Sequence, residues 1–201
     1  MIDTHAHLHL INRPLSDVLS AAKQAGLDHI IQVAIDRSSI EKNIDVYNQY
    51  PQISVSGGIH PLSVTNDLSI PDTIQFIEEN IIDFVAIGET GLDFKYGQDN
   101  AKLQLDWFYA QLDLAHRFDK PVIIHSRYAD DDMIQVVNQY PKLKKVFHCY
   151  ATKFEFFELL KGVNNYVSFT GMITFSKKGK LANAVRNIPL NRMMIETDAP
   201  Y

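Results

Sequence analysis

Apolar runs rich in β-branched residues recur along the chain, and stretches with helical apolar spacing lie between them. The runs are Ile2 to His7, His29 to Ile35, Ile53 to His60, Phe84 to Glu89, Val122 to His125, Val146 to His148, Tyr166 to Thr170 and Met193 to Asp198. Their starts lie about 27 residues apart on average, the length of one strand, one helix and their connections. Eight such units predict an α/β fold, a (β/α)8 TIM-like barrel of eight parallel strands. An open doubly wound sheet is the alternative, since a miscounted strand converts one pattern into the other.

The intervening segments read as helices. Pro14 precedes Leu15, Val18, Leu19 and Ala22 at helical spacing, and Gly26 follows as a stop. Ala101, Leu105, Phe108, Leu112 and Ala115 form a second stripe, and Thr152 with Glu155 has capping-box spacing ahead of Phe156, Phe157 and Leu160. These stripes, with Trp107 beside them, read as helix faces packed on a sheet rather than as a cofactor box. No Gly/Ser linker or composition shift divides residues 1–201, so one barrel domain is expected. The chain stops three residues after the eighth run, whereas barrels of this type usually reach ~250 residues and close with a helix. The expectation is a barrel whose final outer helix is absent. Met193, Ile195 and Thr197 would then form an uncovered wall, which would lower stability or serve self-association.

Composition adds limits. With 46% apolar and 21% charged residues the chain has globular proportions. Cys149 is the sole cysteine, which excludes an internal disulfide or a zinc ribbon and suits a reduced, cytoplasmic protein. No secretory signal pattern and no apolar run near ~18 residues is found, so no membrane association is expected. The 24 acids and 19 bases give a net charge of −5, and no basic run exceeds Lys177-Lys178. That balance argues against electrostatic wrapping of nucleic acid. A polyanionic substrate would need its positive charge from another source.

The histidines supply one. His5 and His7 flank Ala6 at strand spacing, so both imidazoles share a face. Glu89, His125, His148 and Asp198 each close an apolar run. Any one of them reads equally well as a strand cap, but five strand ends converge at the C-terminal mouth, where barrel active sites are assembled. Four imidazoles and two carboxylates suit Zn, Mn, Fe, Ni or Co and suffice for two divalent ions with open positions. Two dications against two carboxylates leave a local +2, a trap for phosphate.

The ordered motifs Ile2-Asp3-Thr4-His5-Ala6-His7-Leu8, Gly58-Ile59-His60-Pro61, Ile87-Gly88-Glu89-Thr90-Gly91-Leu92-Asp93, Pro121-Val122-Ile123-Ile124-His125-Ser126-Arg127, Phe147-His148-Cys149, Ser168-Phe169-Thr170-Gly171 and Glu196-Thr197-Asp198-Ala199-Pro200-Tyr201 span the chain. Together they resemble the TatD family of metal-dependent deoxyribonucleases, which belong to the amidohydrolase-like barrels. The resemblance implies that His5, His7, Glu89 and Asp198 hold one ion, and that Glu89, as a bridge, holds the other with His125 and His148. It implies hydrolysis of DNA phosphodiesters, often from the 3′ end, on single-stranded substrate. Catalysis would rest on Glu89 and Asp198, with Asp198 orienting or deprotonating a metal-activated water. His60 and Arg127 would bind the phosphate of the substrate.

The sequence departs from the family pattern at His9, Leu62, Tyr128 and Ala151-Thr152, all where substrate would be held, and none of these removes a ligand. A lysine at position 89 would have favoured an amidohydrolase acting on a lactone, amide or phosphotriester; the residue is Glu. The short C-terminus leaves an inert metal-binding remnant as a third reading. Glu196 is expected one layer deeper than Asp198, hydrogen-bonded to a ligand histidine. Cys149 is expected to face the helices as a core thiol, and His29 and His116 to be solvated.

Overall fold

The computed structural model describes residues 1–175 and 178–201; Lys177, of the Lys177-Lys178 pair, lies outside the described residues. Eight parallel strands form one sheet in sequence order: β1 (Ile2–Ala6), β2 (His29–Gln32), β3 (Ile53–Gly57), β4 (Phe84–Asp93), β5 (Val122–Arg127), β6 (Lys145–Phe147), β7 (Asn165–Phe169) and β8 (Met193–Ile195). The sheet curls until its two edges meet. His7 donates its N–H to the Ala199 carbonyl at 2.7 Å, and Asp198 donates to the His5 carbonyl at 2.9 Å. The buried Asp3 carboxylate braces this seam by accepting the Thr197 N–H at 3.0 Å and the Thr197 hydroxyl at 2.6 Å. These features make a TIM-like barrel and exclude the open sheet.

Among the described residues seven α-helices surround the strands: α1 (Leu15–Gln24), α2 (Arg37–Tyr47), α3 (Ile70–Glu79), α4 (Ala101–Arg117), α5 (Asp130–Val137), α6 (Phe154–Glu158) and α7 (Lys180–Asn187). No helix follows β8 among the described residues, and Ile195 is exposed while Glu196 turns inward. α4 has the longest apolar stripe, and Trp107, Phe108, Leu112 and Ala115 are buried in the core. α1 begins after Pro14, and Gly26 closes it with φ +85°. The capping box anticipated at Thr152 and Glu155 does not form: α6 starts after Lys153, and the Thr152 hydroxyl donates instead to Asp130 at 2.7 Å. Asp36 makes a complete capping box with Ser39 on α2. No helix among the described residues is long and apolar enough to cross a membrane.

Pairing shifts register on the strands that carry candidate ligands, and besides a shift in β3–β4 between Val55 and Ser56 two shifts bracket ligand positions. The β1–β2 register shifts between Asp3 and Ala6, and the β4–β5 register shifts between Ile87 and Thr90. Each shift re-aims a side chain out of strict alternation. The residues so bracketed are His5 and Glu89.

Candidate metal centre

β4 runs past Glu89 to Asp93, because Thr90 to Asp93 pair with Ile124 to Arg127 of β5. Glu89 and His125 are therefore mid-strand residues, not strand ends. The apolar run stopped at Glu89 only because polar and glycine residues continue the strand inside the barrel. Gly91 is required there: its φ is +140°, and a Cβ would lie 2.0 Å from the His125 carbonyl oxygen.

Six candidate ligands converge. Nε2 of His5 lies 3.2 Å from Nε2 of His7, 3.3 Å from Glu89 Oε2 and 3.6 Å from Asp198 Oδ1. Nε2 of His7 lies 3.6 Å from Glu89 Oε2 and 3.5 Å from Asp198 Oδ1. Four ligands bonded at 2.0–2.1 Å to a tetrahedral ion are ~3.3 Å apart. Five of the six edges of that tetrahedron thus have the spacing an ion requires. The other Glu89 oxygen, Oε1, lies 2.7 Å from His148 Nε2 and 3.0 Å from His125 Nδ1, which are themselves 3.3 Å apart. The donor set fits divalent-metal binding, and each Glu89 oxygen faces its own group of ring nitrogens.

On two of the four rings, His7 and His125, the nitrogen turned away from this cluster has a partner that sets the tautomer. His7 Nδ1–H donates to the Val33 carbonyl at 3.0 Å, leaving the Nε2 lone pair free. His125 Nε2–H donates to Asp93 Oδ2 at 3.0 Å, leaving Nδ1 free. Glu196 lies inward as expected, yet its main contacts are the Cys149 N–H, 2.6 Å from Oε1, and the Ser168 hydroxyl. Its distance to His148 Nδ1 is 3.6 Å, an ionic contact rather than a hydrogen bond. His60 differs from the six: Leu62 N–H donates to its Nδ1 at 3.1 Å, so the neutral ring carries its proton on Nε2, 3.5 Å from Glu89 Oε1.

Electrostatics follow from packing two carboxylates among buried rings. Burial opposes ionisation of Glu89, but the neighbouring His148 and His60 hold its carboxyl well below the usual range. Burial presses His148 toward neutrality, yet the Glu89 charge outweighs it and raises His148 well above an ordinary imidazole. Burial dominates at His60, which falls to about 4, and at His9, also about 4. Both are neutral near pH 7. Asp198 stays ionised through its contact with His7 despite burial.

Arg127 lies at the exposed rim of the same cavity, with His60, Asp93 and Tyr201 among its walls. His29 is half-buried against Ser54 at 2.7 Å rather than solvated, whereas His116 is exposed. Cys149 does not face the helices. It lies beyond β6 in a left-handed turn with φ +45°, half-buried, its sulfur 4.0 Å from the Thr170 hydroxyl, so strand alternation does not apply to it.

Two supports were missed in the sequence. Gln111 on α4 holds the Ile59 N–H at 2.8 Å, the Ile59 carbonyl at 3.1 Å and the Thr90 hydroxyl at 2.7 Å. Two turns earlier Gln104 holds the Asp93 N–H and carbonyl at 2.8 and 3.1 Å. The available signal was a pair of amides seven residues apart on the apolar face of α4.

The model of the TatD-related DNases matches residues 2–201. The chain belongs to the TatD family. Its relatives include an uncharacterized metal-dependent hydrolase, BU355, of Buchnera aphidicola, 34% identical over 100% of this chain and 81% of that protein. The human 3′-5′ RNA nuclease TATDN2 is 39% identical over 58% of this chain and 16% of its own length. Among solved structures, the TatD homologue YjjV of Escherichia coli superimposes with a TM-score of 0.85 at 28% identity, over 100% of this chain and 79% of that one. This chain is a metal-dependent hydrolase with the TatD barrel.

Proposed function

We propose that the chain is a deoxyribonuclease that hydrolyses phosphodiester bonds of single-stranded DNA, working from 3′ ends in a reduced cytoplasmic compartment. The observation that carries this reading is the set of donor spacings around Glu89, whose two oxygens each face their own group of ligand atoms. His5, His7, Glu89 and Asp198 would hold one divalent ion, and Glu89, His125 and His148 a second. Ions in those places supply an acidified water and Lewis-acid stabilisation of charge developing on the phosphoryl oxygens.

The residues around them do the rest. Asp198, ionised at the mouth, orients the attacking water and takes its proton as the oxygen bonds to phosphorus and the scissile P–O bond breaks. Neutral His60 directs its Nε2–H toward the same space and donates to a phosphoryl oxygen. Arg127 forks onto the phosphate from the rim. The family and the RNA nuclease activity of human TATDN2 favour a nucleic acid over a carboxylic ester.

The test is a 5′-labelled single-stranded DNA incubated with Mg, Mn or Zn, beside an RNA of the same sequence and a panel of lactones. Shortening of the DNA from its 3′ end, abolished by EDTA, is expected. Hydrolysis of a lactone with the DNA intact would overturn the reading, and preference for the RNA would overturn its DNA specificity.

A further inference from the structure

Large exposed aromatics are unevenly distributed over the barrel. Among the described residues the four most exposed are Phe175 at 89%, Tyr201 at 79%, Tyr128 at 75% and Tyr96 at 64%. They follow β7, β8, β5 and β4 respectively, so all four rim the mouth that holds the metal-ligand cluster. The remaining two exposed aromatics, Tyr47 and Phe118, lie at the C-terminal ends of α2 and α4, at the opposite end of the barrel. An aromatic ring left in water costs apolar burial, and a cluster of them beside a site marks a binding surface.

Two of the four are built into one unit. The Lys95 ammonium lies 5.0 Å from the Tyr96 ring centre and 5.8 Å from that of Tyr128, and the Arg127 guanidinium lies 4.8 Å from the Tyr96 ring centre. Tyr128 adopts φ +57°, a backbone conformation uncommon for a bulky side chain. Arg127 and His148 line both the metal-site cavity, of about 430 Å³, and a neighbouring cavity of about 700 Å³ walled by Lys95 and Tyr128. The two spaces adjoin. Asp130, Asp131 and Asp132 also line the larger one and repel phosphate, whereas Lys95 and Arg127 attract it, so a polyanion's backbone is favoured beside those two cations.

We propose that Tyr96 and Tyr128, with Lys95 and Arg127 laid against their rings, form a platform that stacks unpaired bases of a single-stranded nucleic acid and leads the adjoining phosphate to the metal centre. The inference rests on the nuclease reading and adds to it the residues that select unpaired substrate. Stacking on an aromatic ring accepts any base, because every base has a π-face, and it is denied to bases already stacked in a duplex.

The test is fluorescence anisotropy with labelled oligothymidylate and a blunt hairpin duplex carrying equal numbers of phosphates, both with EDTA, followed by kinetics with metal restored. Tyr96→Ala and Tyr128→Ala should each raise Kd for the strand roughly 10-fold and raise KM in the loaded enzyme. Tyr128→Phe should bind like the parent, because the ring and not the hydroxyl does the stacking. Duplex affinity and the salt dependence of strand binding should not move, since no charge is removed. A parent-like Kd and KM in the double alanine variant would overturn the platform alone, as would equal weakening for strand and duplex. A parent that neither binds nor cleaves any oligonucleotide would sink the nuclease reading and the platform with it.

Discussion

His125 and Asp93 share a 3.0 Å hydrogen bond from ring Nε2–H to carboxylate Oδ2, and it turns the opposite nitrogen of His125 toward Glu89. The same carboxylate accepts the N–H groups of Lys95 and Tyr96 through Oδ1, at 3.0 Å each. One side chain thus fixes a ligand tautomer and the loop beside it. Asp93→Asn should lower affinity for the ion at His125 by about 10–100-fold, read by competition with a chromogenic chelator. Parent-like affinity would remove this role.

Gln111 should matter for stability more than its sequence position suggests. Gln111→Leu keeps the volume but strands the Ile59 N–H and the Thr90 hydroxyl in the core, at a cost of about 1–3 kcal/mol. Urea denaturation of the metal-free protein checks this. Because Ile59 and Thr90 adjoin His60 and Glu89, the variant should also lose activity beyond what its reduced folded fraction explains.

Glu89→Gln should lose both ions, since an amide nitrogen cannot ligate and both groups share this residue. Metal content by mass spectrometry should fall below one ion per chain. Arg127→Ala and His60→Ala should leave content at the parent value while weakening cleavage, because neither belongs to the six proposed ligands. Full stoichiometry in Glu89→Gln would remove the bridge.

Lys145 gives a prediction in pH. Its side chain is buried, its Nζ donates to the Tyr140 carbonyl at 2.6 Å, and burial lowers its pKa to about 8. An ordinary lysine titrates near 10.5, so the fold disfavours the charged form. That penalty is full below pH 8 and disappears as pH rises toward 10.5. Relative to Lys145→Met, the parent should therefore gain on the order of 2 kcal/mol between pH 8 and 10, measured by urea denaturation at both pH values. A flat difference would show that the amine stays hydrated.

The barrel was legible because each strand is an apolar run of a few residues and each helix an apolar stripe, two periods that sequence displays directly. The convergence of His5, His7, Glu89, His125, His148 and Asp198 followed from strand order alone. What escaped were features set by the third dimension. The continuation of β4 through Gly91 to Asp93 is hidden because polar residues inside a barrel look like a loop. Asp93, Gln104 and Gln111 act through partners 11 to 52 residues away, and no local pattern reports such pairs. Cys149 was misplaced because alternation was carried one residue past the end of β6, and the cap expected at Thr152 was lost to a tertiary bond with Asp130.

The seam between β1 and β8 makes the metal centre a fastening as well as a reaction site. An ion gripped by His5, His7 and Asp198 would tie the first strand to the tail of the last and close almost the whole polypeptide into one ring. In the unfolded chain such a tie restricts a loop of nearly full length, and chain-entropy reasoning for a cross-link of that span gives about 5 kcal/mol. Ion occupancy and integrity of the barrel would then be one equilibrium, and a chelator would act on this protein as a denaturant does.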